Sequence, residues 1–293
     1  MESFRDLLTK NKDALVYITG IGYDKGASLG LGTKNAPKVI MELSQHIPPY
    51  TMDGESIKDI KLYNNGILNP TCILDIEKEM KKLYQDDIFN IVLGGDHSIS
   101  IALEKLFLEK AKKENKEPVI IHLDAHPDFC DFYDGSKYSH ACPNMRAYEN
   151  GYKLENITLI GIRGYEEQEV EFFNKHPEIK IYNASYILEN GITTMINEII
   201  DKYKDEKYMV YISYDIDIND ISHAPGTGTP EAFGINPYEV LKILKALFIN
   251  LNVKAMDIVE VSPDLDDANN TTSWLAIKTL YELFKILIDK RGK

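Results

Sequence analysis

The chain has 293 residues, 44% of them apolar and 27% charged, with a formal net charge of −13 and an isoelectric point near 5.0. That is enough apolar sequence for a sizeable core, and a single domain spanning 1–293 is expected. The acidity argues against a nucleic-acid partner, which needs a basic face. The opening MESFRDLLTKNKDA mixes both charge signs and has no apolar stretch of signal-peptide type. No apolar run approaches the roughly 18 residues of a membrane span. The three cysteines, Cys72, Cys130 and Cys142, have no paired spacing. A soluble, cytoplasmic protein with free thiols and no membrane contact is expected.

In chain order, a β-rich apolar run at 14–21 is followed by a helical pattern at 73–84 and a strand at 89–93. A helix is then expected over 98–113, strands over 119–123 and 157–162, and a helix over 166–174. The remainder reads as strand 179–182, helix 193–203, strand 208–214, helix 237–248, strand 253–259 and helix 274–289. Most of these strands are almost continuously apolar, the mark of a parallel sheet covered on both faces. Their alternation with helices predicts an α/β protein, a three-layer α/β/α sandwich.

Ligands of such sheets gather at the carboxyl ends of the strands. Four predicted strands end there in polar motifs: LGGDHS at 93–98, LDAHPD at 123–128, SYDIDIND at 213–220 and DIVEVSP at 257–263. Side chains two apart on extended backbone share a face, so Asp124, His126 and Asp128 converge, as do Asp215 and Asp217. Carboxylates crowded this way perturb each other strongly unless a cation compensates them. One acidic pair alone could equally be a solvated loop or a helix cap. His97, after a Gly-Gly turn, could also mark a phosphate cradle, but neither GxxxxGK[ST] nor GxGxxG occurs. Taken together, His97, Asp124, His126, Asp128, Asp215 and Asp217 offer imidazole and carboxylate without thiolate, which suits borderline-to-hard divalent ions. Six such groups carrying four negative charges point to two cations rather than one.

These motifs, GGDHS, DAHPD and SYDID with the following HAPGTGTPE, resemble those of the ureohydrolase family, the arginases, agmatinases and their relatives, in the same order over nearly the whole chain. The resemblance implies an arginase-like, mostly parallel eight-stranded sheet, two Mn²⁺ per subunit and a homo-oligomer, trimer or hexamer. It implies that His97 and Asp128 hold one metal, His126 and Asp217 the other, and that Asp124 and Asp215 bridge both. It further implies attack on the guanidinium carbon by a metal-bridging hydroxide that Asp128 orients. Glu260 would bind the guanidinium through a bidentate pair, and His140 would shuttle a proton to the leaving amine. The plainer alternatives are a structural or capping role for Glu260 and an incidental loop position for His140.

Cys130 stands where arginases carry the asparagine that begins their amino-acid-reading loop, so arginine is not the expected substrate. The resemblance is nearer to microbial agmatinases, and a small cationic guanidine, agmatine, is expected to yield putrescine and urea. Asp131 and Asp134 would attract its free ammonium, although both also read as solvated turn residues. Lys137, Arg146 and Arg163 keep carboxylate-bearing substrates such as guanidinobutyrate and formiminoglutamate open, as well as a non-catalytic relative. The family pattern is departed from at Pro127, at Ile221, and at Thr229-Pro230-Glu231-Ala232-Phe233-Gly234, where TPEPGG is usual. Cys130 itself reads as a packing residue or an oxidation-sensitive thiol. Trp274 should pack on the sheet.

Overall fold

Residues 3–10, 14–85 and 88–291 are described by the computed structural model. Its strands are β1 Val16–Ile21, β2 Leu62–Leu68, β3 Phe89–Leu93, β4 Glu117–Leu123, β5 Ile157–Ile162, β6 Lys180–Asn183, β7 Tyr208–Asp215 and β8 Val253–Val259. They form one sheet in the order β2-β1-β3-β8-β7-β4-β5-β6, and every pairing is parallel. The helices are α1 Ala36–Ser44, α2 Ile73–Leu83, α3 Ser100–Lys113, α4 Pro143–Asn150, α5 Glu167–Lys175, α6 Ala184–Asn190, α7 Ile192–Tyr203, α8 Pro237–Asn250 and α9 Thr271–Arg291. None of them is long and apolar enough to cross a membrane.

Alternation along the buried strands builds the two outer layers. On β7, Val210 and Ile212 face α1, α7, α8 and α9, joining Ile40, Ile199, Leu244 and Leu280. Met209 and Tyr211 face the opposite way, onto Met80 of α2 and Phe107 of α3. A third cluster packs Met145 of α4 and Phe129 on Ile120, Ile157 and Leu159. Each fully buried Leu or Ile contributes roughly 1.5–3 kcal/mol relative to exposure, which is why strands this apolar seek a middle layer. Trp274 lies within α9 and packs against the first cluster.

Four elements lie outside the sequence expectation: β2, α1, α4 and α6. In β2, Asn64-Asn65-Gly66 carries turn chemistry, yet it runs as an edge strand because its polar side chains are satisfied in place. Asn65 Nδ2 donates to Thr19 Oγ1 (2.9 Å), Asn64 Nδ2 to Ser3 Oγ (3.0 Å), and Gly66 N to Asn64 Oδ1 (2.7 Å). The pairing with β1 slips in register between Ile18 and Gly20.

The four strands that end in polar motifs, β3, β8, β7 and β4, are consecutive in the sheet. Because all run parallel, their carboxyl ends meet on one rim.

Candidate metal centre

The rim is built by loops that leave each strand within a residue of its end. Asp124 follows Leu123 directly, and its N–H bonds Ile160 O of β5 at 3.0 Å. Ala125 N donates to Asp217 Oδ1 (3.0 Å) and Asp217 N to Asp215 Oδ1 (2.8 Å), so backbone donors aim the carboxylates. Close approach of backbone is needed at Gly95, where a Cβ would fall 1.7 Å from Tyr23 O. Asp128 and Glu260 both sit in the left-handed region, at φ of 55° and 60°. Such a conformation costs a non-glycine residue about 1–3 kcal/mol and recurs where a side chain is held for function.

All six predicted ligand residues come together. His97 Nδ1 lies 3.0 Å from Asp124 Oδ2, 3.1 Å from Asp128 Oδ2 and 3.1 Å from Asp215 Oδ2. His126 Nδ1 lies 3.5 Å from Asp124 Oδ1 and 3.2 Å from Asp217 Oδ2. Asp124 thus faces both clusters, one with each oxygen. The buried His97 Nδ1, Asp124 Oδ2, Asp128 Oδ2 and Asp217 Oδ2 make no hydrogen bond, an unusual convergence of orphaned ligand atoms. Nitrogen and carboxylate donors in this number fit divalent cations.

The electrostatics agree. Burial, with Asp217 and Asp124 alongside, pushes Asp215 well above the usual carboxylate range. Burial and Asp124 raise Asp128. Burial opposes the charge on His97, but Asp128 and the contacts to Asp124 and Asp215 outweigh it and raise the imidazole well above its ordinary value. His126 is raised in the same sense, against burial, by Asp217 and Asp124.

His122 belongs to this cluster and was not anticipated. Its Nε2 lies 2.9 Å from Asp124 Oδ2 and 3.1 Å from His126 O, and its ring stacks on His97 at 4.8 Å between centroids. The same two-residue period that links 124, 126 and 128 would have found it, since it precedes Asp124 by two.

Glu260 and His140 adjoin the centre. Glu260 Oε1 accepts from His97 N at 2.8 Å and lies 3.3 Å from His140 Nδ1. Burial alone would lower His140, but the hydrogen bond and charge of Glu260 raise it to about 9. A cavity of about 360 Å³ opens over Asp128, His97, His126 and His140. Glu166, Glu169 and Glu231 lie on its wall, and no lysine or arginine does among the described residues.

Asp131 and Asp134 do not line this cavity. Asp131 is exposed and paired with Arg146 Nη2 at 2.6 Å and Lys137 Nζ at 3.1 Å. Asp134 occupies an exposed turn at φ 46°. Lys137, Arg146 and Arg163 lie off the cavity too. Arg163 spends its guanidinium on backbone carbonyls of Gly161, Asp217, Asn219, Glu231 and Ala232. Cys130 is fully buried, and burial pushes its thiol above the ordinary range, which is packing chemistry rather than that of a sensitive thiol.

The Arginase family model matches residues 14–285. Among curated relatives, an agmatinase of Bacillus cereus is 32% identical over 269 residues, covering 89% of this chain and 88% of the relative. A guanidinobutyrase of Pseudomonas aeruginosa is 30% identical over 281 residues, covering 92% and 85%. The crystal structure of the agmatine ureohydrolase of Thermoplasma volcanium superposes with a TM-score of 0.87 at 28% identity, over 100% of this chain and 96% of that one. A matched model over the whole sheet, with its strand-end motifs gathered on one rim, makes the chain a member of the arginase family, the ureohydrolases.

Proposed function

We propose that the protein hydrolyses the guanidinium group of agmatine to putrescine and urea at a site holding two Mn²⁺ ions. The observation that carries the choice of substrate is the cavity wall: Glu166, Glu169 and Glu231 are on it, and Lys137, Arg146 and Arg163 are not. A substrate with a free ammonium meets the carboxylates of Glu166 and Glu231 there, while both oxygens of Glu169 are taken by the backbone N–H groups of Phe129 and Glu166. A guanidine bearing a carboxylate would find no lysine or arginine on that wall among the described residues.

In this reading His97 and Asp128 hold one cation, His126 and Asp217 the other, with Asp124 and Asp215 shared. When bound, such cations lower the pKa of water so that hydroxide is available near neutral pH. The chain's own groups do the rest. Asp128, whose Oδ2 makes no hydrogen bond and lies 3.1 Å from His97 Nδ1, orients the attacking nucleophile. Glu260 pairs with the guanidinium, and its Oε1 is already fixed by His97 N, so the carboxylate is held in place before substrate enters. His140 supplies the proton that lets the amine leave. A cytoplasmic location and a homo-oligomer, trimer or hexamer, go with this reading and are checked by fractionation and light scattering.

The test is kcat/KM of the Mn²⁺-loaded protein on agmatine, arginine, guanidinobutyrate and formiminoglutamate. Agmatine is expected to lead by at least tenfold. Because a guanidinobutyrase is 30% identical, guanidinobutyrate is the sharpest competitor, and its preference would overturn the argument from wall charge.

A further inference from the structure

Both ring nitrogens of His140 are already engaged. Nδ1 faces Glu260 Oε1 at 3.3 Å, and a carboxylate only accepts, so Nδ1 carries a proton. Nε2 meets Ser28 Oγ at 2.9 Å. A proton that leaves this ring for the cavity therefore has one protein group in its path. From this geometry we propose that the Ser28 hydroxyl is the last carrier in the proton path, passing the proton of His140 to the leaving amine. The proposal rests on the hydrolytic reading of the site.

The position of Ser28 is built rather than incidental. It lies in a segment without regular structure that Asp96 pins by accepting from Gly26 N (2.7 Å) and Ala27 N (3.1 Å). Gly26 O accepts from His140 N at 3.0 Å, so the two loops are tied to each other by backbone as well. Tyr133 closes the other side of the His140 ring in an edge contact, centroids 6.2 Å apart. Ser28 lines the same cavity as His140, Asp128 and Glu231.

The step balances. Nε2–H of the imidazolium goes to Ser28 Oγ as the Oγ–H proton goes to the substrate nitrogen. The carbon–nitrogen bond breaks with its electron pair on that nitrogen, and His140 is left neutral, with Nδ1–H held by Glu260. A neutral Nε2 then accepts from the Ser28 hydroxyl, so the same contact serves both protonation states. Nothing in the local sequence announces this, since Ser28 and His140 are 112 residues apart.

The experiment is a double-mutant cycle of Ser28→Ala and His140→Ala, with urea release, KM and bound Mn²⁺ measured for each protein. Ser28→Ala should lower kcat roughly ten- to a hundredfold, up to the lower end of what acid–base groups supply. KM and metal content should stay within twofold. In the His140→Ala background the same change should cost less than twofold, because the Ser28 hydroxyl then has no imidazolium to take a proton from. Ser28→Thr, which keeps the hydroxyl, should recover at least tenfold of any hundredfold loss. An unchanged kcat in Ser28→Ala, an equal loss in both backgrounds, or Thr no better than Ala would overturn the relay while wild-type turnover leaves the hydrolytic reading standing. A wild type that releases no urea from any guanidine would overturn both.

Discussion

Divalent cations bound at this site should relieve the repulsion among its buried carboxylates. Without them, burial, with Asp217 and Asp124 alongside, pushes Asp215 well above the usual carboxylate range. A carboxyl raised in this way contributes stability only while it is protonated, and that contribution is lost as pH rises. Each occupied site adds RT ln(1 + [M]/Kd), about 2.7 kcal/mol at a hundredfold excess over Kd. An unfolding entropy near 2.1 cal/mol/K per residue, over 293 residues, is about 0.6 kcal/mol/K. Saturation should therefore raise Tm by about 4–5 °C per site and about 9 °C for two. Asp215→Asn keeps the shape and an oxygen for Asp217 N, which now bonds Oδ1 at 2.8 Å, but it removes the charge. Its EDTA-treated form should melt at or above the EDTA-treated wild type, while its Mn²⁺-dependent rise should fall by more than half. Differential scanning calorimetry of both proteins, with EDTA and with Mn²⁺, reads all four values. A wild type with no Mn²⁺-dependent rise would refute the metal centre. A full rise in Asp215→Asn would refute the shared role of Asp215, and a much lower Tm of its stripped form would refute the stored repulsion.

Three further outcomes are expected. In metal-free protein, NMR titration of His140 should show a midpoint near 9, falling in Glu260→Gln. The stability that this His140–Glu260 pair contributes is fully present below about pH 6.5 and lost as pH rises through 9, so a Tm flat across that window in wild type would contradict it. Thiol labelling of the folded protein should modify exposed Cys72 quickly and spare Cys130 and Cys142, both buried and both with raised pKa; prompt reaction of all three would show the loop after Asp128 to be open. Phe233, 80% exposed at φ 61°, stands where the family's TPEPGG has glycine, and Phe233→Gly should gain about 1 kcal/mol, or 1–2 °C in Tm, by relieving the left-handed backbone.

The sheet was legible because parallel strands buried on both faces must be apolar almost throughout, and the six inner strands are, while β6, Lys180–Asn183, is a four-residue edge strand with exposed ends. The strand β2 was not, since its Asn-Asn-Gly core finds hydrogen-bond partners only once β1 and the N-terminal segment lie beside it. The helices α4 and α6 are short, eight and seven residues, too few turns for a clear apolar stripe. The candidate ligand residues were legible for a different reason: five of them lie at or just past strand ends in two-residue steps, and His97 follows a Gly-Gly turn after β3, although Asp128 adopts left-handed backbone and Asp217 lies in a 3-10 turn rather than on extended strand. That argument stopped one step early, at Asp124, and so passed over His122.

The substrate wall shows where reasoning along the chain runs out. Asp131 and Asp134 were candidates for the ammonium because they follow Asp128 closely in sequence, but Lys137 of the same loop and Arg146 of α4 take up Asp131. The carboxylates on the cavity come instead from the start of α5 and from the 229–234 segment, brought in by β5 and β7. Glu169 shows the coupling most directly. Its two oxygens accept Phe129 N at 2.8 Å and Glu166 N at 2.9 Å, so one buried side chain ties the residue after Asp128 to the residue that caps α5. The loop after Asp128 and the cavity wall are thereby a single unit, and a change in the 128–131 loop reaches Glu166 through the protein rather than along the chain.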